Sequence, residues 1–337
     1  MDIFSTVILA RVVAELPPPT PFLLNSFFRE EQRSTTEEIY FDVDNGKRRL
    51  APFVSPVVAG KVVENRGFQT KSFKPAYVKD KRRFLPSAAL KRTIGEAIGG
   101  NLSPEQRIQL NLARSLADQV DMLTRRLEWM AAKVLTTGAV TITGDQYPTT
   151  QVNFGRDPAL TVALSGANRW GQSGVKPLQD LQDWSLLVTQ KSGTAPTVVT
   201  MTADAYALFA ADPDVKELLD RFRGRDALHP TVVGEGGRYM GSIGDFDIYV
   251  FAGWYEDPDG AGSTPYLPPF TVLLTSPDLD GVRAYGAILD EEAGLQALPY
   301  FVKSWIEKDP GVRMLLMQSA PLTVPYRVNA SFCATVN

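Results

Sequence analysis

"NLSPEQRIQLNLARSLADQVDMLTRRLEWMAAKVLTTG", residues 101–138, carries the plainest structural signal in the chain. Ser103 can cap a helix, Pro104 suits the first turn because its N–H would be unpaired there anyway, and Gln106 completes a capping box. Ile108, Leu112, Leu116, Val120, Leu123, Leu127, Met130 and Val134 then recur at three- and four-residue steps, which places them on one stripe. Gly138 can close the helix in a left-handed conformation. At about 1.5 Å per residue, 103–137 is a rod roughly 50 Å long, well beyond an ordinary globular helix. With one apolar stripe it needs a sheet or a neighbouring molecule along its whole length.

The segment before the helix stands apart electrostatically. Between 44 and 92, thirteen bases face only Asp44, Glu64 and Asp80. That limb carries +10 in a chain of formal net charge −3, which leaves −13 for the rest. Its densest part, "VVENRGFQTKSFKPAYVKDKRRF" (62–84), supplies Arg66, Lys71, Lys74, Lys79, Lys81, Arg82 and Arg83. The stretch has no helical period. "EEIYFDV" reads as a strand, Asn45-Gly46 suits a tight hairpin, and the prolines at 52 and 56 exclude a central strand. A basic extended limb on an acidic body is complementary to another copy of the same chain. A nucleic-acid reader would be basic overall, and the acidic remainder counts against that.

Composition narrows the function classes. The 337 residues are 44% hydrophobic and 22% charged, as expected of a globular chain with more than one small core. No apolar run reaches the roughly 18 residues of a membrane span. "MDIFSTVILARVVAEL" has Asp2 in place of a basic start, Arg11 inside the apolar run and "PPPTP" after it, so it reads as an ordered arm and not a signal peptide. One cysteine, Cys333, and one histidine, His229, exclude an internal disulfide and leave a Cys/His zinc site without ligands. Cys333 in "NASFCATV" reads as a small buried residue of a strand, and His229 before a proline as a loop residue.

Several glycine and acidic motifs fall short of chemistry. In "GEGGRYMGSIG" (234–244) the third glycine of a dinucleotide fingerprint falls on Tyr239, so a glycine-rich loop or hairpin is expected. "DPDGAG" (257–262) lacks the later ligands of a calcium loop, and "GQSGV" (171–175) misses a nucleophile elbow at its last glycine. Glu291-Glu292 and Asp278 with Asp280 read as solvated acids. No catalytic, cofactor or metal site is expected. The remaining pattern gives strands in 139–156, a helix near 176–190, a buried strand "PTVVTMT", a helix interrupted at Pro213, strands in 246–255, 270–276 and 283–289, and a strand-rich tail.

The order is arm, proline connector, basic limb, very long helix, α+β unit and returning strands. It resembles the tailed-phage major capsid proteins of the HK97 fold, and specifically the lambda capsid protein E family. The resemblance rests on "FLLNSFFRE" (22–30), "FVSPVVAGKVVENRGFQTKSFKPAYVKDKRRF" (53–84), "VTITGDQYPTTQVNFGR" (140–156), "AYALFAADPDVKELLD" (205–220) and "MLLMQSAPL" (314–322), in that order along the chain. It implies an α+β, HK97-like capsid fold. Residues 1–37 would be the N-terminal arm, 38–92 the extended E-loop, 93–189 the peripheral domain with spine helix 103–137, 190–298 the axial domain, and 299–337 strands returning to the peripheral domain. It implies a non-enzymatic head subunit that self-assembles into hexamers and pentamers, with an encapsulin-like compartment shell as the alternative. The partners it implies are further copies of the chain, a separate scaffolding protein (no long helical extension precedes the arm), a portal, a decoration protein and non-specifically contacted DNA, with no membrane. The limb bases would lie at the subunit interface, with Lys81, Arg82 and Arg83 foremost. The crosslinking branch of the fold joins a limb lysine to an asparagine. This chain has Asn329 but no matching motif, so covalent crosslinks are not expected.

Overall fold

The long helix runs Pro104–Thr137. The Ser103 hydroxyl accepts from the Gln106 N–H at 3.2 Å, and the Gln106 side chain accepts from the Ser103 N–H at 2.9 Å, closing the capping box. At the far end Gly138 has φ 69° and donates to the Val134 carbonyl at 2.8 Å. A Cβ on Gly138 would lie 2.6 Å from Cβ of Arg156, so glycine is required by space as well as by φ. The computed structural model describes residues 3–34, 36, 38–44, 68–85, 87, 90–92, 96, 102–144, 147–219, 233–257, 262–309 and 311–337. The Asn45-Gly46 turn, the prolines at 52 and 56, Arg66 and His229 lie outside these residues.

Six stripe residues (Leu112, Leu116, Leu123, Leu127, Met130 and Val134) are buried, while Ile108 and Val120 are half-buried. The cover comes from the same chain. Leu112 and Leu116 pack with Leu9 and Val13 of the helix Thr6–Glu15 and with Val302, Leu315 and Met317. Leu127 to Leu135 pack with Phe22 to Phe28, with Val140 and Phe154, and with Leu322 and Val324. Of the two covers the sequence allowed, a sheet or a neighbouring molecule, the chain supplies the sheet itself.

That sheet corrects the reach of the limb. Val78–Phe84 does not extend outward. It pairs antiparallel with Val312–Ser319, which pairs antiparallel with Phe301–Glu307. The reason is its two-faced alternation. Val78, Asp80, Arg82 and Phe84 turn inward and are half-buried, while Lys79, Lys81 and Arg83 turn outward and are exposed. The described limb is therefore Ile39–Asp44 paired with Phe68–Phe73, two strands that pair only with each other among the described residues.

A six-stranded sheet runs in the order Thr161–Ala163, Ser331–Thr335, Thr271–Thr275, Val198–Met201, Phe246–Phe251, Gly237–Ile243. Helices Pro177–Ser192, Ala203–Ala211 and Pro213–Leu218 bury Leu181, Trp184, Phe209 and Val215 in the same core as its Val199, Ile248, Leu274 and Phe332. The break between the last two helices is at Asp212, whose side chain caps the second. Most of the stretch expected as a glycine-rich loop is the edge strand Gly237–Ile243 of a hairpin. Glycine is needed there because a Cβ on Gly237 would sit 2.4 Å from the Phe22 ring. The sheets cross the divisions expected at 190 and 298. Thr161–Ala163 and Ser331–Thr335 join the six-stranded sheet, and Gly281–Tyr285 leaves it to pair with Phe28–Arg33 and Pro321–Pro325. Cys333 is buried opposite Leu273, and burial pushes its thiol up to about 11, with Arg156 pulling it back. Among the described residues no helix is long and apolar enough to cross a membrane.

Leu116 is fully buried between two elements of the cover. Leu116→Ala is expected to cost about 2–5 kcal/mol in chemical denaturation. Leu116→Asp is expected to abolish soluble expression, because it buries an unpaired carboxylate at a cost of several kcal/mol. Wild-type stability in either variant would mean that the stripe is not packed as described.

Candidate subunit interface

Six of the seven limb bases lie among the described residues, on two different sheets and the connector between them. Lys71 lies on Phe68–Phe73, opposite Phe41. Lys74 is exposed in the connector, where its carbonyl accepts from the Tyr147 hydroxyl at 3.0 Å. Lys79, Lys81, Arg82 and Arg83 sit on Val78–Phe84. Lys81 reaches Glu307 at 3.4 Å and lies 5.2 Å from the Trp305 ring centre, both on the same three-stranded sheet. Lys79 lies 5.2 Å from the Tyr77 ring.

Arg82 faces the long helix. Its guanidinium meets Asp118 at 2.7 Å and Asp80 at 2.8 Å, with the Met122 sulfur at 3.1 Å. Within the chain its charge joins its own strand to its own helix. Arg83 is exposed.

Sequence reasoning missed three buried charges that meet the helix, Glu128 on it and Arg156 and Glu96 outside it. The Glu128 carboxylate is 3% exposed and accepts from the backbone N–H of Leu23 at 2.8 Å and of Leu24 at 2.7 Å. These are orphan donors in the first turn of the helix Phe22–Phe27, whose N-cap, Pro21, has no side-chain acceptor. Glu128 does from the long helix what a capping side chain would do locally. Burial pushes its carboxyl up to about 7, against the pull of the Leu23 and Leu24 N–H groups and Arg283, with Glu235 adding to the rise. At the helix C-terminus, Arg156 donates to the Leu135 carbonyl at 2.6 Å and to the Thr136 carbonyl, satisfying acceptors that the helix leaves open. Near the N-terminus, Arg107 meets the buried Glu96 at 2.8 Å through paired contacts. Among the described residues no cluster of His, Cys, Asp or Glu could hold a metal ion.

The model of the phage major capsid protein E family matches residues 5–336. The chain belongs to this family. It is 31% identical to the major capsid protein of Escherichia phage lambda over 312 residues, 90% of each chain, and 30% identical to that of Escherichia phage N15 over 329 residues, 96% of each. Among solved structures, the crystal structure assigned to a capsid protein of an Escherichia coli CFT073 prophage superposes with TM-score 0.79 at 22% identity, covering 99% of both chains. The capsid of Ralstonia phage GP4 superposes with TM-score 0.53 at 16% identity, covering 96% of this chain and 93% of the other. The fold is the HK97-like capsid fold, α+β, and the family's members are structural major capsid proteins.

Glu128 also sets a pH dependence. Its folded value, about 7, lies above the ordinary 4.5, so the folded chain holds a proton that the unfolded chain releases. The stability from this group is fully present below about 4.5 and lost as pH rises through about 7, on the order of 3 kcal/mol in all. Denaturation midpoints of wild type and Glu128→Gln should diverge across that window, with the wild type losing more. A parallel pair of profiles would show that Glu128 does not titrate there.

Proposed function

We propose that this chain is the head-shell subunit of a tailed double-stranded DNA phage, and that its copies form the hexamers and pentamers of an icosahedral shell. Membership of the capsid protein E family carries the reading. In physical terms, the limb ribbon pairs only with itself among the described residues, and a two-stranded ribbon is marginal in water until something covers it. Val7, Leu90 and Ile306 are 80%, 78% and 60% exposed, apolar surface that association between copies would remove from water.

The limb of one copy lies on the acidic body of the next. Single exposed ion pairs contribute only about 0–1 kcal/mol. A shell repeats each contact in every subunit, so small terms decide whether assembly proceeds. Arg82 is engaged within its own chain, so of the three bases at the return of the limb the exposed Lys81 and Arg83 carry the docking charge. A separate scaffolding protein and a portal are the further partners, assembly takes place in the host cytoplasm, and packaged DNA is contacted without sequence preference. The relatives are phage capsid proteins, which favours a phage head over an encapsulin-like compartment.

Electron microscopy of purified particles tests the reading. Closed icosahedral shells that contain DNA are expected, and shells filled with a folded enzyme would favour the compartment. In boiling SDS with reductant the particles should fall to single chains. A persistent ladder of covalent multimers would overturn the expectation of an uncrosslinked shell.

A further inference from the structure

The glycine-rich turn 234–237 is shaped around the arm. The Glu235 N–H donates to the Thr20 carbonyl at 2.7 Å, and Pro21 forms a parallel bridge with Glu235. Gly234 and Gly236 have φ 72° and 78°, and a Cβ on Gly234 would lie 2.6 Å from the Thr20 carbonyl oxygen. Phe22 fills the space beside Gly237, with its ring centre 5.6 Å from that of Phe251 and 5.5 Å from that of Tyr249. On its other side the same segment meets the long helix, where the Leu23 and Leu24 N–H groups donate to the two oxygens of Glu128 at 2.8 and 2.7 Å. Residues 20–24 are thus wedged between the second half of the helix and the Gly237–Phe251 hairpin, which forms one edge of the six-stranded sheet. Strands nearer the other edge reach the helix core directly, through Leu273 and Cys333.

We propose that residues 20–24 are a strap that ties the edge hairpin of the α+β unit to the long helix, with the Glu128 carboxyl as its catch. The inference goes beyond the shell reading and does not depend on it. Residues 16–28 contain no charged side chain, so the strap offers Glu128 backbone donors and no cation. A groove of about 700 Å³ opens beside the strap, lined by Pro19, Pro21, Glu128 and Glu235. An ionised carboxylate gains water when the strap lifts, whereas a protonated one gains little and stays covered. The charged and titratable groups that bear on Glu128 are Arg283 on the strand Gly281–Tyr285, Glu235 on the turn, and Tyr266, whose phenol lies 3.5 Å from the Arg125 carbonyl of the helix itself. Arg283 and Glu235 act in opposite senses, and burial pushes the Tyr266 phenol up, which leaves Glu128 to titrate near neutrality. Its value under the strap, about 7, lies above the ordinary 4.5, so its support for the closed strap is full below about 4.5 and is lost as pH rises through about 7. With the strap lifted, the hairpin edge of the α+β unit can shift against the helix.

Hydrogen exchange of the full-length chain, read by mass spectrometry and corrected for the intrinsic pH dependence of amide exchange, tests the strap. Between about pH 5.5 and about pH 8.5 the protection of the segment holding Leu23 and Leu24 should fall roughly tenfold or more. Residues 233–240 should lose protection in step, because the same strap braces them. Glu128→Gln removes the titration and should make the protection of both segments independent of pH. Phe22→Ala loosens the strap from the hairpin side and should lower the protection of both segments even at the acidic end. Where either variant fails to fold, the wild-type pH series decides alone. A fall at 20–28 with 233–240 unchanged would mean that the arm lifts without bracing the hairpin, which overturns the strap. Protection independent of pH in the wild type would overturn Glu128 as the catch.

Discussion

Covering one apolar stripe some 50 Å long is the constraint that organises this molecule. No single element spans it, so the chain brings two sets of segments to it. Helix Thr6–Glu15 and the sheet of 301–319 cover the first half, and the segment 22–28 with strands from 139–154 and 321–325 covers the second. Segments far apart in sequence are thus neighbours because they share a hydrophobic obligation. The order of elements along the chain follows from it: arm before the helix, returning strands after it, and the α+β unit between 160 and 280 packed around its own separate core.

Apolar packing alone tolerates sliding, and the charged side chains that meet the helix remove that freedom. Glu128 accepts from two specific N–H groups, Arg156 donates to two specific carbonyls, and Arg82 joins Asp80 to Asp118. The Glu128 and Arg156 sites take charge out of water, which is costly unless partners are in place, while Arg82 and Asp118 keep part of their surface in solvent. The arm, the 154–156 loop and the strand Val78–Phe84 are each fixed to the helix at one register. The three clasps lie in its middle turns and at its C-terminal end, and the Glu96 pair adds a fourth near its start.

What could be read from the sequence was local. The capping box, the stripe and the closing glycine depend on residues within a few positions of one another, and the helix agrees to within a residue at each end. The strand Val78–Phe84 was visible as extended, but its partner lies more than 200 residues onward, and nothing in "VKDKRRF" points to "VRMLLMQS". Its charges therefore looked available when one of them was already used at home. Glu128, in "TRRLEWM", sits among arginines like an ordinary solvated acid. Only the fold brings it to N–H groups 105 residues away. Arg156 closes the stretch 139–156 that reads as strands, and nothing local to it points to the C-terminus of the helix. The family resemblance rested on long ordered stretches, and so it survived these local misreadings.

The six-stranded sheet has a consequence for how the chain comes to be folded. Its strand Ser331–Thr335 lies between Thr161–Ala163 and Thr271–Thr275, and a hydrogen bond from the Asp157 N–H to the Asn329 side chain spans 172 residues of sequence. Contacts of that separation pay their loop entropy before they return any stabilisation, so folding is slow compared with a helical bundle. Until that strand arrives, Thr161–Ala163 and Thr271–Thr275 present unpaired edges, which are templates for misassociation with any similar chain nearby. The interval between collapse and insertion of one five-residue strand is when productive folding and aggregation compete.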